Sequence, residues 1–167
     1  MKNLRSEVIK YAKMLNSKKL SALRSGNISA RYKDGFLITP SGAKYSSLKS
    51  KDIVFVSLTG EFDKKKGIPS SEWRFHQDIY KNKIEAYAIV HAHSNYATAI
   101  STHGKRIPAF HYMIAMAGGN DIKCAKYATF GTRELSKNII KALTMRNACL
   151  IGNHGQIAFS ENLSKAF

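Results

Sequence analysis

The sequence predicts an α/β protein of the α+β kind: a central, mostly antiparallel β-sheet with helices on its faces. Three observations carry this expectation. Apolar residues recur at helical spacing near the N-terminus, short β-rich runs sit in hairpin-like pairs, and strands alternate with helices without a strict βαβ rhythm. Taken in order, Leu4, Val8, Tyr11, Ala12 and Leu15 predict an amphipathic helix from residue 3 to about residue 20, closed by the polar turn "RSGN". "ISARYKDGFLITP" reads as two short strands around an Asp34-Gly35 turn, and "DIVFVSL" as a third strand closed by "TGEFD". In "IPSSEWRFHQDIY" a proline and two serines precede a helical run, with Ser70 or Ser71 as N-cap and Glu72 in the first turn. "AYAIVHAH" is β-rich, "NYATAIST" predicts a short helix, and "RELSKNIIKALTMR" a longer one. "ACLIGNHGQIAF" predicts a closing strand pair that turns at Asn153-His154-Gly155.

Bulk properties bound the function. At 167 residues, 44% hydrophobic and 23% charged, the chain suits one soluble globular domain, 1–167. Its apolar runs are too short to span a bilayer, and "MKNLRSEVIKYAK" has no apolar core of a signal peptide, so no membrane partner is expected. Cys124 and Cys149 belong to no metal-spaced pair and read as free thiols, which makes the cytoplasm the expected compartment. The net charge of +16 favours anionic partners. The lysines are scattered, however, and no nucleic-acid-binding motif is present, so no nucleic-acid partner is expected.

Chemistry concentrates in three stretches. In "IVHAHSNY", His91 and His93 are two apart on a strand, so both imidazoles point to one face, about 6–7 Å apart, and can converge on one atom. Catalytic zinc takes three protein ligands and leaves a fourth position open. A third histidine would come from His76, His103, His111 or His154, and His154 sits in the glycine-flanked turn "GNHGQ". Alternatively, the pair are ordinary hydrogen-bonded imidazoles at a strand end. In "GIPSSEWRFH" two serine hydroxyls and free N–H groups at a helix start make an anion pocket, although a plain capped helix contains the same residues. "SGNIS" and "TPSG" are glycine turns whose N–H groups suit a phosphate.

The combination and order of "GNISARYKDGFLITPSG", "PSSEWRFH", "VHAHSNYATAIS", "IPAFHYMIAMAGGN", "CAKYATFGTREL" and "NHGQIA" resemble the class II, zinc-dependent aldolases of the aldolase/adducin superfamily. Within it, the members that cleave L-fuculose 1-phosphate are the most similar. The resemblance runs from about residue 26 to the end of the sequence. It implies a three-layer aldolase/adducin-like fold, a Zn2+ cofactor held by His91, His93 and His154, and Glu72 as acid/base. It places Asn27, Ser41, Gly42, Ser70 and Ser71 around the substrate phosphate. Tyr112 becomes a catalytic residue at the aldehyde-side oxygen and Phe130 an active-site lining residue near a subunit boundary. His111 is left structural, His76 is assigned to the helix face and His103 to the surface.

The activity so implied is reversible cleavage of a ketose 1-phosphate to dihydroxyacetone phosphate and an aldehyde, by a homotetramer. Sugar-phosphate epimerases, a methylthioribulose-phosphate dehydratase and non-catalytic adducin-like binding proteins are the alternatives. Retention of three histidines and the glutamate argues against the last. The pattern continues in the family beyond "ENLSKAF", so the domain is expected to be C-terminally truncated, with seven residues too few to sustain a helix alone.

Overall fold

A computed structural model describes residues 4–167. The elements are α1 (Leu4–Ser17), β1 (Asn27–Tyr32), β2 (Gly35–Ile38), β3 (Val54–Ser57), α2 (Trp73–Asn82), β4 (Ala88–Ala92), α3 (Asn95–Ser101), β5 (Cys124–Ala125), α4 (Arg133–Ala142), β6 (Ala148–Ile151), β7 (Gly155–Ser160) and α5 (Leu163–Ala166). Seven strands form one sheet in the order β3-β2-β1-β4-β7-β6-β5. Every neighbouring pair is antiparallel except β5 and β6. The expected mixed fold with a mostly antiparallel sheet is therefore the one observed.

Both faces of the sheet are covered, because the strands are apolar on both sides. On one face Phe36, Ile38, Val54, Val56, Ile89, Ile151, Ile157 and Phe159 pack against Phe75 and Ile79 of α2 and Leu135 and Ile139 of α4. On the other, Ile28, Ala30, Leu37, Ala88, Val90 and Ala92 meet Val8, Tyr11, Ala12 and Leu15 of α1 and Leu163 and Ala166 of α5. Alternation along β1 and β4 sends even-numbered residues to the α1 side and odd-numbered ones to the α2 side. Asn27, Ser29 and His91 consequently enter the α2 layer, where apolar packing surrounds them.

Helix ends explain several boundaries. Thr132 caps α4 by accepting from the Leu135 N–H at 3.2 Å, and Glu134 complements the first turn. α1 stops earlier than residue 20, since Lys19 adopts φ +57°; residue 3 lies outside the described residues. The first hairpin turns on Lys33-Asp34, not Asp34-Gly35. Lys33 takes the positive φ of +52°, while Gly35 is already in β2 opposite Tyr32, where a Cβ would strike the Val56 carbonyl. "ENLSKAF" does form a helical turn. Asn162 accepts from the Lys165 N–H at 2.9 Å, and buried Leu163 and Ala166 dock on the core, so tertiary packing supplies what seven residues lack alone.

Candidate metal centre and anion pocket

Two chain segments bring the histidines together. His91 lies on β4, His93 one residue beyond its end, and His154 in the β6–β7 turn. β4 and β7 pair with His91 opposite Ile157, which sets the turn beside the strand end. The three rings form a nearly equilateral triangle, with centroids 4.7, 4.9 and 4.8 Å apart and planes 67–83° to one another. Two backbone features permit this approach. Asn153 adopts φ +52°, and Gly155 lies so close to β4 that a Cβ would press on the Ala92 carbonyl and stand 3.0 Å from His93 Cδ2.

Glu72 completes the cluster at the start of α2. Neither Ser70 nor Ser71 is the helix cap: Glu72 occupies that place, without a side-chain capping bond, and Ser70 Oγ accepts from its N–H only at 3.4 Å. Its carboxylate turns instead toward the rings, with Oε2 3.2 Å from His91 Nε2 and Oε1 3.2 Å from His154 Nε2. The loops around it are tied together. Ser70 N–H donates to the Thr39 carbonyl and Ser41 N–H to the Ile68 carbonyl, each at 3.0 Å, and Pro40 bridges to Pro69. The "TPSG" and "IPSS" turns are thereby one wall.

The donor set fits a divalent cation. One ligand atom from each of Glu72, His91, His93 and His154 lies within 4.8 Å of the others. His91 Nδ1 donates to the Gln156 carbonyl at 2.8 Å, so its Nε2 carries a lone pair. That lone pair faces His93 Nε2 at 2.8 Å. Glu72 Oε1 is buried and accepts no hydrogen bond among the described residues. Three imidazole nitrogens converging with a carboxylate oxygen that accepts no hydrogen bond suit a positive charge at their centre.

Electrostatics keep the groups in ligand form. Burial alone would raise the Glu72 pKa; His91, His154 and the Asn27 amide outweigh it and pull the value down to about 2. Burial, then repulsion from His91 and His154, lowers His93 to about 4, and burial and His91 also lower His154. His93 and His154 are thus held toward the neutral form beside an ionised Glu72 carboxylate.

A cavity of about 390 Å3 opens over this cluster, lined among others by Asn27, Ser41, Gly42, Ser70, Ser71, Glu72, His93, His154 and Phe130. His91 lies beneath, with no exposure. Tyr112 does not line it: it belongs to a 3-10 turn, Tyr112–Ala117, and is 79% exposed. His111 serves structurally, its Nδ1 accepting from the Met113 N–H at 3.2 Å, and His103 is exposed. His76 lies on α2, where it is fully buried and bonded to Asn27 and Ser29. Sequence reasoning also missed Arg24, which lines the cavity and donates to the Gly42 carbonyl at 2.9 Å. Its signal was "RSGN", read only as a turn. Tyr45, Tyr127 and Asn153 are among the other lining residues that the sequence did not single out.

Residues 6–167 match the family described as Class II Aldolase and Adducin N-terminal domain. The chain is 52% identical over 142 residues to the L-fuculose phosphate aldolase of Escherichia coli (strain K12), covering 85% of this chain and 66% of that protein. It thus spans slightly less than two thirds of that relative's length. It is 46% identical over 163 residues to a 5-methylthioribulose-1-phosphate/5-deoxyribulose-1-phosphate aldolase of Rhodospirillum rubrum, covering 98% of this chain and 73% of that one. A solved L-fuculose 1-phosphate aldolase superposes with TM-score 0.94 at 40% identity, covering 99% of this chain and 79% of that chain.

Proposed function

The chain belongs to the class II aldolase and adducin family, and on that footing we propose that it is a metal-dependent aldolase. It would cleave a ketose 1-phosphate, L-fuculose 1-phosphate first, into dihydroxyacetone phosphate and an aldehyde. The observation that carries this is the His91–His93–His154 triangle with Glu72 at the floor of a hydroxyl- and amide-lined cavity.

The cofactor in this reading is zinc, which in catalytic sites takes three protein ligands, commonly imidazoles, and keeps one position open. His91, His93 and His154 would hold it. When bound, such an ion supplies Lewis acidity toward the ketone and the negative charge that develops there as the C3–C4 bond breaks. The Gln156 carbonyl fixes the His91 tautomer for that task. Glu72, ionised and buried, is the base that handles the proton on the carbon that becomes the hydroxymethyl group of dihydroxyacetone phosphate. Ser41, Gly42, Ser70, Ser71 and the second amide hydrogen of Asn27 take the phosphate. Phe130 lines the aldehyde end.

We assign Tyr112 to the aldehyde-side oxygen, a role that falls to a neighbouring copy because the residue stands outside its own chain's cavity. The exposed Phe110, Tyr112, Met113, Met116 and Tyr127 support assembly with further copies of the chain, and we read that assembly as a cytoplasmic homotetramer of the 1–167 domain. No helix among the described residues is long and apolar enough to cross a membrane.

The Rhodospirillum rubrum relative favours a second substrate, 5-deoxyribulose 1-phosphate, with the same phosphate half. The test is to present zinc-loaded protein with L-fuculose, L-rhamnulose and 5-deoxy-D-ribulose 1-phosphates and follow dihydroxyacetone phosphate. Release from L-fuculose 1-phosphate with the highest kcat/KM is expected. A higher value for the deoxyribulose ester would assign the second substrate, and release from none of the three would overturn the aldolase reading.

A further inference from the structure

Below the cavity floor, alternate residues of β1 meet every fourth residue of α2. Asn27 and Ser29 come from the strand; Glu72 lies at the helix start, and His76 and Tyr80 on the helix. Asn27, Ser29, His76 and Tyr80 are all buried, Ser29 and His76 completely. Their polar atoms form one unbroken line. Asn27 Nδ2 lies 2.8 Å from Glu72 Oε2, and Asn27 Oδ1 is 2.5 Å from His76 Nε2. His76 Nδ1 is 2.7 Å from Ser29 Oγ, and Ser29 Oγ is 2.8 Å from Tyr80 OH.

The chemistry of the end groups fixes every proton along this line. An ionised carboxylate only accepts, so the Asn27 amide must present its NH2 to Glu72 and its carbonyl to His76. His76 must then donate from Nε2, which leaves Nδ1 as an acceptor. Ser29 must donate to Nδ1, and its remaining acceptor capacity takes the Tyr80 hydroxyl. All four bonds point one way, from Tyr80 toward the carboxylate. Rotating the Asn27 amide by half a turn would set its carbonyl against the Glu72 carboxylate and its NH2 against the His76 N–H. Two buried clashes would follow from one flip.

We propose that His76 is a positioning residue: through Asn27 it holds the Glu72 carboxylate in the orientation its proton transfer needs, with Ser29 and Tyr80 locking the imidazole tautomer. The proposal rests on the reading of Glu72 as the acid/base. His76 does not line the cavity, and its hydrogen-bonded path to Glu72 runs through the Asn27 amide. Outer-shell partners of this kind typically alter activity by about 10- to 100-fold when removed.

The experiment compares His76→Leu and His76→Gln with the parent zinc-loaded protein, together with Glu72→Gln. Glutamine can offer an N–H near the place of Nε2; leucine cannot. We expect His76→Leu to lower kcat about 10- to 100-fold with KM for the sugar phosphate and zinc content unchanged, and His76→Gln to recover most of that loss. Nitrogen-15 spectra of histidine-labelled protein should show His76 neutral, with its proton on Nε2. Should His76→Leu not fold, Ser29→Ala breaks the same line with a smaller volume change and carries the same kcat loss. An unchanged kcat in the variant that folds, equal losses in the Leu and Gln variants, or a proton on Nδ1 would each overturn the proposal. A fully active Glu72→Gln would instead overturn the reading of Glu72 on which it rests.

Discussion

Replacing Gly155 with alanine should separate metal binding from folding. Gly155 has no positive φ, so alanine meets no backbone penalty there; the problem is contact alone. The new methyl group would press on the Ala92 carbonyl and stand 3.0 Å from His93 Cδ2 and 3.3 Å from His93 Cα. Carbon atoms normally rest about 3.5–4.0 Å apart, so His93 must shift by about 0.5 Å or more. A metal site tolerates deviations of only about 0.2 Å in ligand distance. Overpacking of this size costs about 1–3 kcal/mol of stability, a fall of about 2–4 °C in Tm per kcal/mol for a chain of this length. We therefore expect a folded variant with zinc affinity reduced tenfold or more, measured by competition with a chromogenic chelator. Gly104→Ala is the control: Gly104 has φ +63° and open space around it, so alanine should cost about 1–2 kcal/mol and leave zinc affinity intact. Wild-type zinc affinity in Gly155→Ala, or an equal loss in Gly104→Ala, would refute the reasoning.

Glu72→Gln keeps the shape of the side chain but removes the proton acceptor, so kcat should fall about 100-fold or more while sugar-phosphate binding persists, as read by steady-state kinetics and calorimetry. Ser70→Ala with Ser71→Ala should raise KM for the phosphorylated ketose, since hydrogen bonds to a charged group contribute about 1.5–3 kcal/mol each; an unchanged KM would leave the serines only a structural role. Acid should destabilise the metal-free protein. Burial holds His76 at a pKa of about 3 against an ordinary 6.5, so as pH falls from 6.5 toward 3 the unfolded chain takes up a proton that the folded one refuses. The loss is about 1.4 kcal/mol per pH unit. Urea midpoints measured from pH 7 to 4.5 should therefore fall less steeply in His76→Gln than in the parent.

How much of this was legible in the sequence depends on how local each signal is. The pairing of His91 with His93 follows from the period of a strand, and the glycines flanking His154 mark a turn that can reach a strand end. Glu72 is different. Ser-Ser-Glu before a helix reads equally well as a cap, and only the family pattern singled the carboxylate out. The line from Tyr80 to Asn27 was invisible because it joins a period of two on β1 to a period of four on α2, and nothing local says that these two faces meet. His76 accordingly reads only as a residue of the helix face, with no partner on the strand. Gly35 reads as a turn residue because Asp-Gly is a strong hairpin signal; the contact with β3 that requires a glycine there is non-local. The closing turn of helix at Leu163–Ala166 was missed for the same reason, since its stability comes from docking on the sheet.

Whether this cluster of donors turns a bound metal into an aldolase centre is decided by a zinc titration. Protein stripped with a chelator is given increasing zinc, and dihydroxyacetone phosphate release from L-fuculose 1-phosphate is followed at each step. No release is expected from the stripped protein, then a linear rise that levels at one zinc per chain, with the His91→Ala, His93→Ala double variant silent throughout. Release that survives stripping, or a stoichiometric zinc that the double variant still holds, would contradict it.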